Sequence, residues 1–151
     1  MINIRPANIK DLDLFVQWAQ AMAAETEGKH LAEHTVRKGM QAGLIDQHTC
    51  RYFVAEYDNQ AAGTLMYTRE WSDWRNAWWW WIQSVYVCPV HRRKGVYQAL
   101  HQHVENLARA ESNVCGLRLY VEHQNIIAQR TYASLGLIDS GYKMLEIEFS
   151  V

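Results

Sequence analysis

Residues 78–87 read Trp-Trp-Trp-Trp-Ile-Gln-Ser-Val-Tyr-Val, an aromatic and β-branched run that suits a buried strand, and Val96, Leu100, Val104 and Leu107 then recur at helical spacing. A buried strand followed at once by an amphipathic helix confines the chain to folds that layer helices on a sheet. Pro89 supplies no ladder donor, so strand pairing stops there. Between the two elements stand Arg92, Arg93, Lys94 and Gly95. A helix N-terminus carries about half a positive charge and about four unsatisfied N–H groups, and phosphate is a common ligand of such ends. Cations are unfavourable at that end of a helix. Three of them together therefore point to a negative partner, against the plainer reading of a solvated basic turn.

The loop resembles motif A of the GNAT N-acetyltransferases, which reads Gln or Arg, two variable residues, Gly, one variable residue, then Gly or Ala. In that family it grips the pyrophosphate of acetyl-CoA. Here the six positions are Arg92, Arg93, Lys94, Gly95, Val96 and Tyr97, and Tyr97 departs from the pattern by its size. A second stretch lies downstream. Leu117, Leu119 and Val121 alternate with Arg118, Tyr120 and Glu122 as in a half-buried strand, and Asn125 can cap a helix that Gly136 ends. Asn125, Ala128 and Tyr132 are three and four residues apart and share one helix face. This spacing is similar to motif B of the same family, whose Asn and Tyr flank the thioester arm of the cofactor.

One domain over residues 1–151 is expected, because the chain has the length of an ordinary domain and 49% apolar residues. A formal net charge of −1 makes the basic loop a local site and not part of a nucleic-acid surface. Cys50, Cys88 and Cys115 show no paired metal or redox spacing, and their odd number argues against a disulfide framework. A cytoplasmic protein without metal is the expectation. The N-terminus is too polar for a signal peptide, and no run reaches the roughly 18 to 20 apolar residues of a membrane span.

Taken in order, Ile2 and Ile4 alternate with Asn3 and Arg5 in a short strand that Pro6 stops. Asn8 and Asp11 have the spacing of a capping box, and Leu12, Phe15, Val16, Ala19, Met22 and Ala23 make one apolar stripe. Residues 24–29 are expected as a loop and residues 32–42 as a second helix. Arg51–Tyr57 and residues 61–68 should form a hairpin about Asp58, Asn59 and Gln60. Six of the seven tryptophans fall between Glu70 and Trp81, with a turn at residues 72–76. Trp79 and Trp81 should face one way and Trp78 and Trp80 the other. The indoles suit packing or a homodimer surface, or an aromatic pocket for a cation. Leu145, Ile147, Phe149 and Val151 alternate with polar residues as a closing strand.

This order matches the fold the resemblance implies: mixed α/β in three layers, with helices on both faces of a central, mostly antiparallel sheet that splays between its fourth and fifth strands. The resemblance also implies acetyl-CoA as cosubstrate and direct transfer to a primary amine of a small molecule or peptide, with no metal, nucleic acid or membrane involved. Cofactor contacts fall to Val85, Val87, Arg92, Arg93, Lys94, Gly95, Val96, Tyr97, Asn125 and Ala128. Tyr132 falls in the place of the proton donor. Glu25 and Trp74 lie in segments that line the acceptor side. Gln83 aligns with a position where a glutamate base often stands, and a glutamine amide cannot take up a proton usefully. That departure keeps a second reading open, a non-catalytic acyl-CoA sensor or dimeric interaction domain on the same scaffold.

Overall fold

The order of elements follows from where turns and caps interrupt the apolar patterns. A computed structural model describes residues 1–150. Its elements are β1 (Ile2–Pro6), α1 (Leu12–Glu27), α2 (Glu33–Ile45), β2 (Arg51–Tyr57), β3 (Gln60–Ser72), β4 (Ala77–Val87), α3 (Val96–Ala110), β5 (Val114–Arg118) and α4 (Ile126–Ser134). The capping box is present: the Asn8 side chain accepts the Lys10 N–H at 2.9 Å, and the Asp11 carboxylate accepts the Asn8 N–H at 2.9 Å. Burial opposes charge on Asp11, but the Arg5 guanidinium and the Asn8 N–H hold its carboxyl below the usual range.

Helix α1 continues through residues expected as a loop, because Ala24, Glu25, Thr26 and Glu27 contain no helix breaker. It stops at Gly28, whose N–H bonds the Ala24 carbonyl at 3.2 Å. Asp58 and Asn59 both take positive φ, 49° and 67°, which gives the β2–β3 hairpin its two-residue turn.

The sheet runs β1-β2-β3-β4-β5, with antiparallel pairs throughout except the parallel β4–β5 pair. β5 begins three residues earlier than the alternation at 117–121 suggested, since Val114 to Arg118 pair with Trp78 to Trp81. Two cores lie on opposite faces. On one, Leu100 and Val104 of α3 pack on Phe53, Leu65, Tyr67, Trp80 and Ile82. On the other, Phe15 and Trp18 of α1 pack on Tyr52, Val54 and Tyr86. Trp80 stacks on Tyr67 with ring centroids 4.0 Å apart, whereas Trp79, on the opposite face, lies under the guanidinium groups of Arg118 at 3.9 Å and Arg75 at 5.0 Å. Trp78 and Trp80 thus belong to the core beneath α3, Trp79 and Trp81 are half-buried, and Trp71 and Trp74 are exposed. Among the described residues, no helix is long and apolar enough to cross a membrane.

The chain divides into two compact units, Met1–Leu119 and Tyr120–Val151. The sheet and α1 to α3 make up the first. The second contains α4, and none of its described residues is buried. Residues 142–150, expected as a closing strand, are not assigned to a strand, and alternation becomes a strand only where a neighbour accepts its N–H and C=O groups. Val151, the last residue of that expected strand, lies outside the described residues.

Candidate active site

Strand β4 is irregular where the site begins. Thr64 pairs with Tyr86 and Met66 with Gln83, so Leu65 alone stands opposite both Ser84 and Val85. This is a β-bulge, which breaks the ladder and re-aims the backbone around it. Ser84 takes φ of 49°, a left-handed conformation that non-glycine residues adopt at a cost. β5 partners β4 only from Trp78 to Trp81. From Ile82 to Val87 no strand among the described residues lies along that edge, and its backbone groups are open to another partner.

The edge leads directly into the cation loop. Pro89–His91 form a 3-10 turn, Arg93 and Gly95 take φ of 61° and 82°, and Gly95 stands at the N-cap of α3 with no side chain capping the helix. Glycine suits that left-handed N-cap. The free N–H groups of the first turn therefore open onto the loop. Val96 is buried and anchors the helix start in the core. Tyr97 packs against the same core, and its hydroxyl lies 3.3 Å from His101 Nδ1 one turn along α3. Its bulk is thereby placed on the helix flank, which accounts for the departure from Gly or Ala.

The three cations differ in role. Arg92 Nε donates to the Val87 carbonyl at 2.9 Å, its Nη2 meets Glu25 at 2.7 Å, and its guanidinium lies 5.6 Å over the Tyr86 ring. It ties the end of β4 to α1. Lys94 Nζ lies 5.1 Å over the Tyr57 ring, and Arg93 is exposed. Beside them, His91 Nδ1 is buried without a hydrogen-bond partner.

On the α1 face of the bulge is a cavity of about 30 Å³, lined by Phe15, Trp18, Met22, Met40, Tyr52 and Tyr86, with Ser84 in its wall. Burial pushes the Tyr52 phenol up to about 12 and raises that of Tyr86, to which Glu25 also contributes. Both stay protonated at neutral pH. Burial likewise raises the Cys50 and Cys88 thiols, which makes them poor nucleophiles. Sequence reasoning read the α1 residues as core and missed this cavity; only their concentration of aromatic and methionine side chains hinted at it. Gln83 is held by its amide, which donates to Thr68 Oγ1 at 2.6 Å. Trp74 does not line the cavity: it is 89% exposed in the β3–β4 turn. Glu70 is ion-paired with Arg118.

In the second unit, the Asn125 side chain caps α4 by accepting the Ala128 N–H at 3.1 Å. Ala128 and Tyr132 are half-buried, and burial raises the Tyr132 phenol, so it keeps its proton at neutral pH.

The sequence matches the family pattern of the acetyltransferase (GNAT) family over residues 13–137. Among solved structures, a possible acetyltransferase from Clostridium difficile 630 is 41% identical, with 100% of this chain and 99% of that chain covered at a TM-score of 0.92. A predicted acetyltransferase from Clostridium acetobutylicum, solved with acetyl-CoA, is 19% identical over 98% of this chain and 96% of that one, at a TM-score of 0.77. A ribosomal-protein-alanine N-acetyltransferase from Brucella melitensis biovar Abortus 2308 is 16% identical over 99% of this chain and 100% of that one, at 0.79. At those identities the last two show the fold alone. No match is found among curated proteins. With the family pattern running from α1 to just beyond α4, and a 41% identical relative aligned along the whole chain, this protein belongs to the acetyltransferase (GNAT) family.

Proposed function

We propose that the protein moves an acetyl group from acetyl-CoA directly to a primary amine of a small molecule or peptide. The observation that carries this reading is the continuity of the open β4 edge with the uncapped, cationic start of α3. Their donor sets fit the two halves of the cofactor. The N–H groups at Gly95, Val96 and Tyr97, with Arg93 and Lys94, suit a pyrophosphate. The edge groups of Val85 and Val87 suit the amides of pantetheine, and Asn125 and Ala128 fall to its thioester arm by resemblance to the family.

When bound, acetyl-CoA supplies a thioester carbonyl that an amine can attack. The chain's own part is to orient and to manage charge and protons. In this reading the Val85 N–H, next to the bulge at Ser84, would serve the oxygen on which negative charge develops. The aromatic cavity beside the bulge, at about 30 Å³, is too small to hold an amine's apolar body as it stands, and its walls of Phe15, Trp18, Tyr52 and Tyr86 would line the approach to the bulge. Because the Gln83 amide is no base, the amine reaches the site neutral or loses its proton to water. Tyr132 Oη donates its proton to the departing sulfur. An unperturbed thiol ionises near pH ~8.5 and a phenol near ~10, and burial raises the Tyr132 phenol further, so the transfer runs uphill and is drawn forward by the loss of the free thiol and reprotonation of the phenol from water. The three free cysteines suit a reducing cytoplasm.

Thiol release from acetyl-CoA in the presence of an amine panel tests the proposal. Turnover is expected with at least one primary amine of the panel, and Tyr132→Phe should lower kcat by about 10² to 10⁴ while leaving acetyl-CoA affinity unchanged. Full turnover in that variant excludes the phenol as the acid, and no thiol release with any amine favours the sensor reading.

A further inference from the structure

We infer that Glu25 and the pyrophosphate of the cofactor compete for one guanidinium, that of Arg92, so that binding of acetyl-CoA frees Glu25 to receive the acceptor in its ammonium form. The inference rests on the functional reading above, and every residue it uses lies in Met1–Leu119.

Glu25 stands in the last turn of α1, which holds no basic residue. A helix C-terminus carries about half a negative charge, so a carboxylate there is unfavourable unless a cation answers it. For Glu27 that cation is Lys29, 3.4 Å away. For Glu25 it is Arg92, whose Nη2 lies 2.7 Å from Oε2 although 67 positions separate the two residues. The same guanidinium lies 5.6 Å over the ring of Tyr86, and Tyr86 is one wall of the aromatic cavity. A carboxylate and an aromatic face thus already hold a cation beside that cavity, and the cation belongs to the chain itself.

Arg92 also opens the cation loop. It is three residues from Gly95, a span of at most about 11 Å, which is comparable with the Debye length of about 8 to 10 Å. An anion at the uncapped start of α3 is therefore within range of its charge. Nε and Nη2 are engaged by the Val87 carbonyl and Glu25, whereas no acceptor among the described residues takes Nη1.

Magnitudes decide which anion wins. The side chains of the pair are 43% and 41% exposed, and losing an exposed pair of this kind shifts an equilibrium by only about 1.5- to 5-fold. Glu25 meets the guanidinium through one nitrogen, while a pyrophosphate carries more charge and can take two parallel N–H bonds. The pair yields to the cofactor. Glu25 then stands at a negative helix end without its counter-ion, a setting that draws an ammonium group, and the amine sheds its proton to water before it attacks. Ligands that take opposite members of one ion pair strengthen each other's binding reciprocally.

Calorimetric titration with free CoA of wild type, Glu25→Gln, Arg92→Gln and the variant carrying both tests the competition. Glu25→Gln should tighten CoA by about 1.5- to 5-fold when Arg92 is intact and bring no comparable gain in the Arg92→Gln background. An equal gain in both backgrounds reduces Glu25 to a distant charge, and no gain with Arg92 intact reduces the pair to a tie between α1 and β4; either result overturns the proposal. In thiol release with the amine of the panel that turns over best, Glu25→Gln should lower KM for acetyl-CoA and raise KM for the amine, each by about 1.5- to 5-fold. Two values that move in the same direction, as a loosened fold would give, overturn it. Arg93→Ala with Lys94→Ala separates this proposal from the functional reading. If that variant binds CoA more weakly while Glu25→Gln has no effect, the cofactor site stands and the competition falls. If CoA does not bind wild type, both fall.

Discussion

His101 shows how far one side chain can be displaced from its ordinary chemistry by its surroundings. It is 1% exposed on α3, and burial lowers its pKa although Glu105 Oε2 lies 3.4 Å from Nε2 and favours the charge. Above about pH 6.5 the imidazole is neutral both folded and unfolded, and contributes no pH dependence. As pH falls below that, the unfolded chain takes up the proton first, and stability is lost until the lower folded pKa is passed. Urea midpoints between pH 7.5 and 5 should therefore fall more steeply for wild type than for His101→Gln, by up to about 1.4 kcal/mol per pH unit. Parallel profiles would show that His101 does not titrate differently in the two states. Not all of this scale was legible in the sequence. The cation loop was, because three charges before a helical stripe are a local pattern. That Arg92 reaches Glu25 across 67 positions was not, since such contacts depend on how α1 packs against β4.

The elements follow the same division. Local chemistry delivered the Asn8 capping box, the hairpin at Asp58 and Asn59, the turn before β4 and the Asn125 cap, all of which depend on neighbouring residues. The bulge was invisible, because Ser84 is not the glycine that usually announces a left-handed bulge residue, and its position is set by β3. The start of β5 was misplaced for a related reason: alternation marks which residues can be a strand, and the partner decides which are. That partner constrains β5 further at Gly116. A Cβ there would lie 2.5 Å from Trp79 Cζ3, and the same indole already carries the Arg118 guanidinium 3.9 Å from its centroid. Gly116→Ala should cost about 1 to 3 kcal/mol, or about 2 to 4 °C in Tm for each kcal/mol. A Tm within 1 °C of wild type, on the order of experimental scatter, would mean that the β4–β5 contact yields freely.

For the molecule as a whole, the layered class was legible early, because a buried strand, a cationic turn and an amphipathic helix in succession leave few other arrangements. Helices pack on both sheet faces as that pattern requires, and β4 carries the consequences for function: one edge is satisfied by β3, the other is left open beyond Trp81. In the second unit the alternation of Leu145, Ile147 and Phe149 promised a strand, and those residues are not assigned to one. The central claim is that the open edge and the start of α3 together hold acetyl-CoA. A thermal shift with acetyl-CoA, free CoA and ATP tests it most directly. A ligand at about 100 times its Kd adds about 2.7 kcal/mol, so both CoA forms should raise Tm by about 5 to 10 °C and ATP should have little effect. No shift with either CoA form, or an equal shift with ATP, would contradict the account.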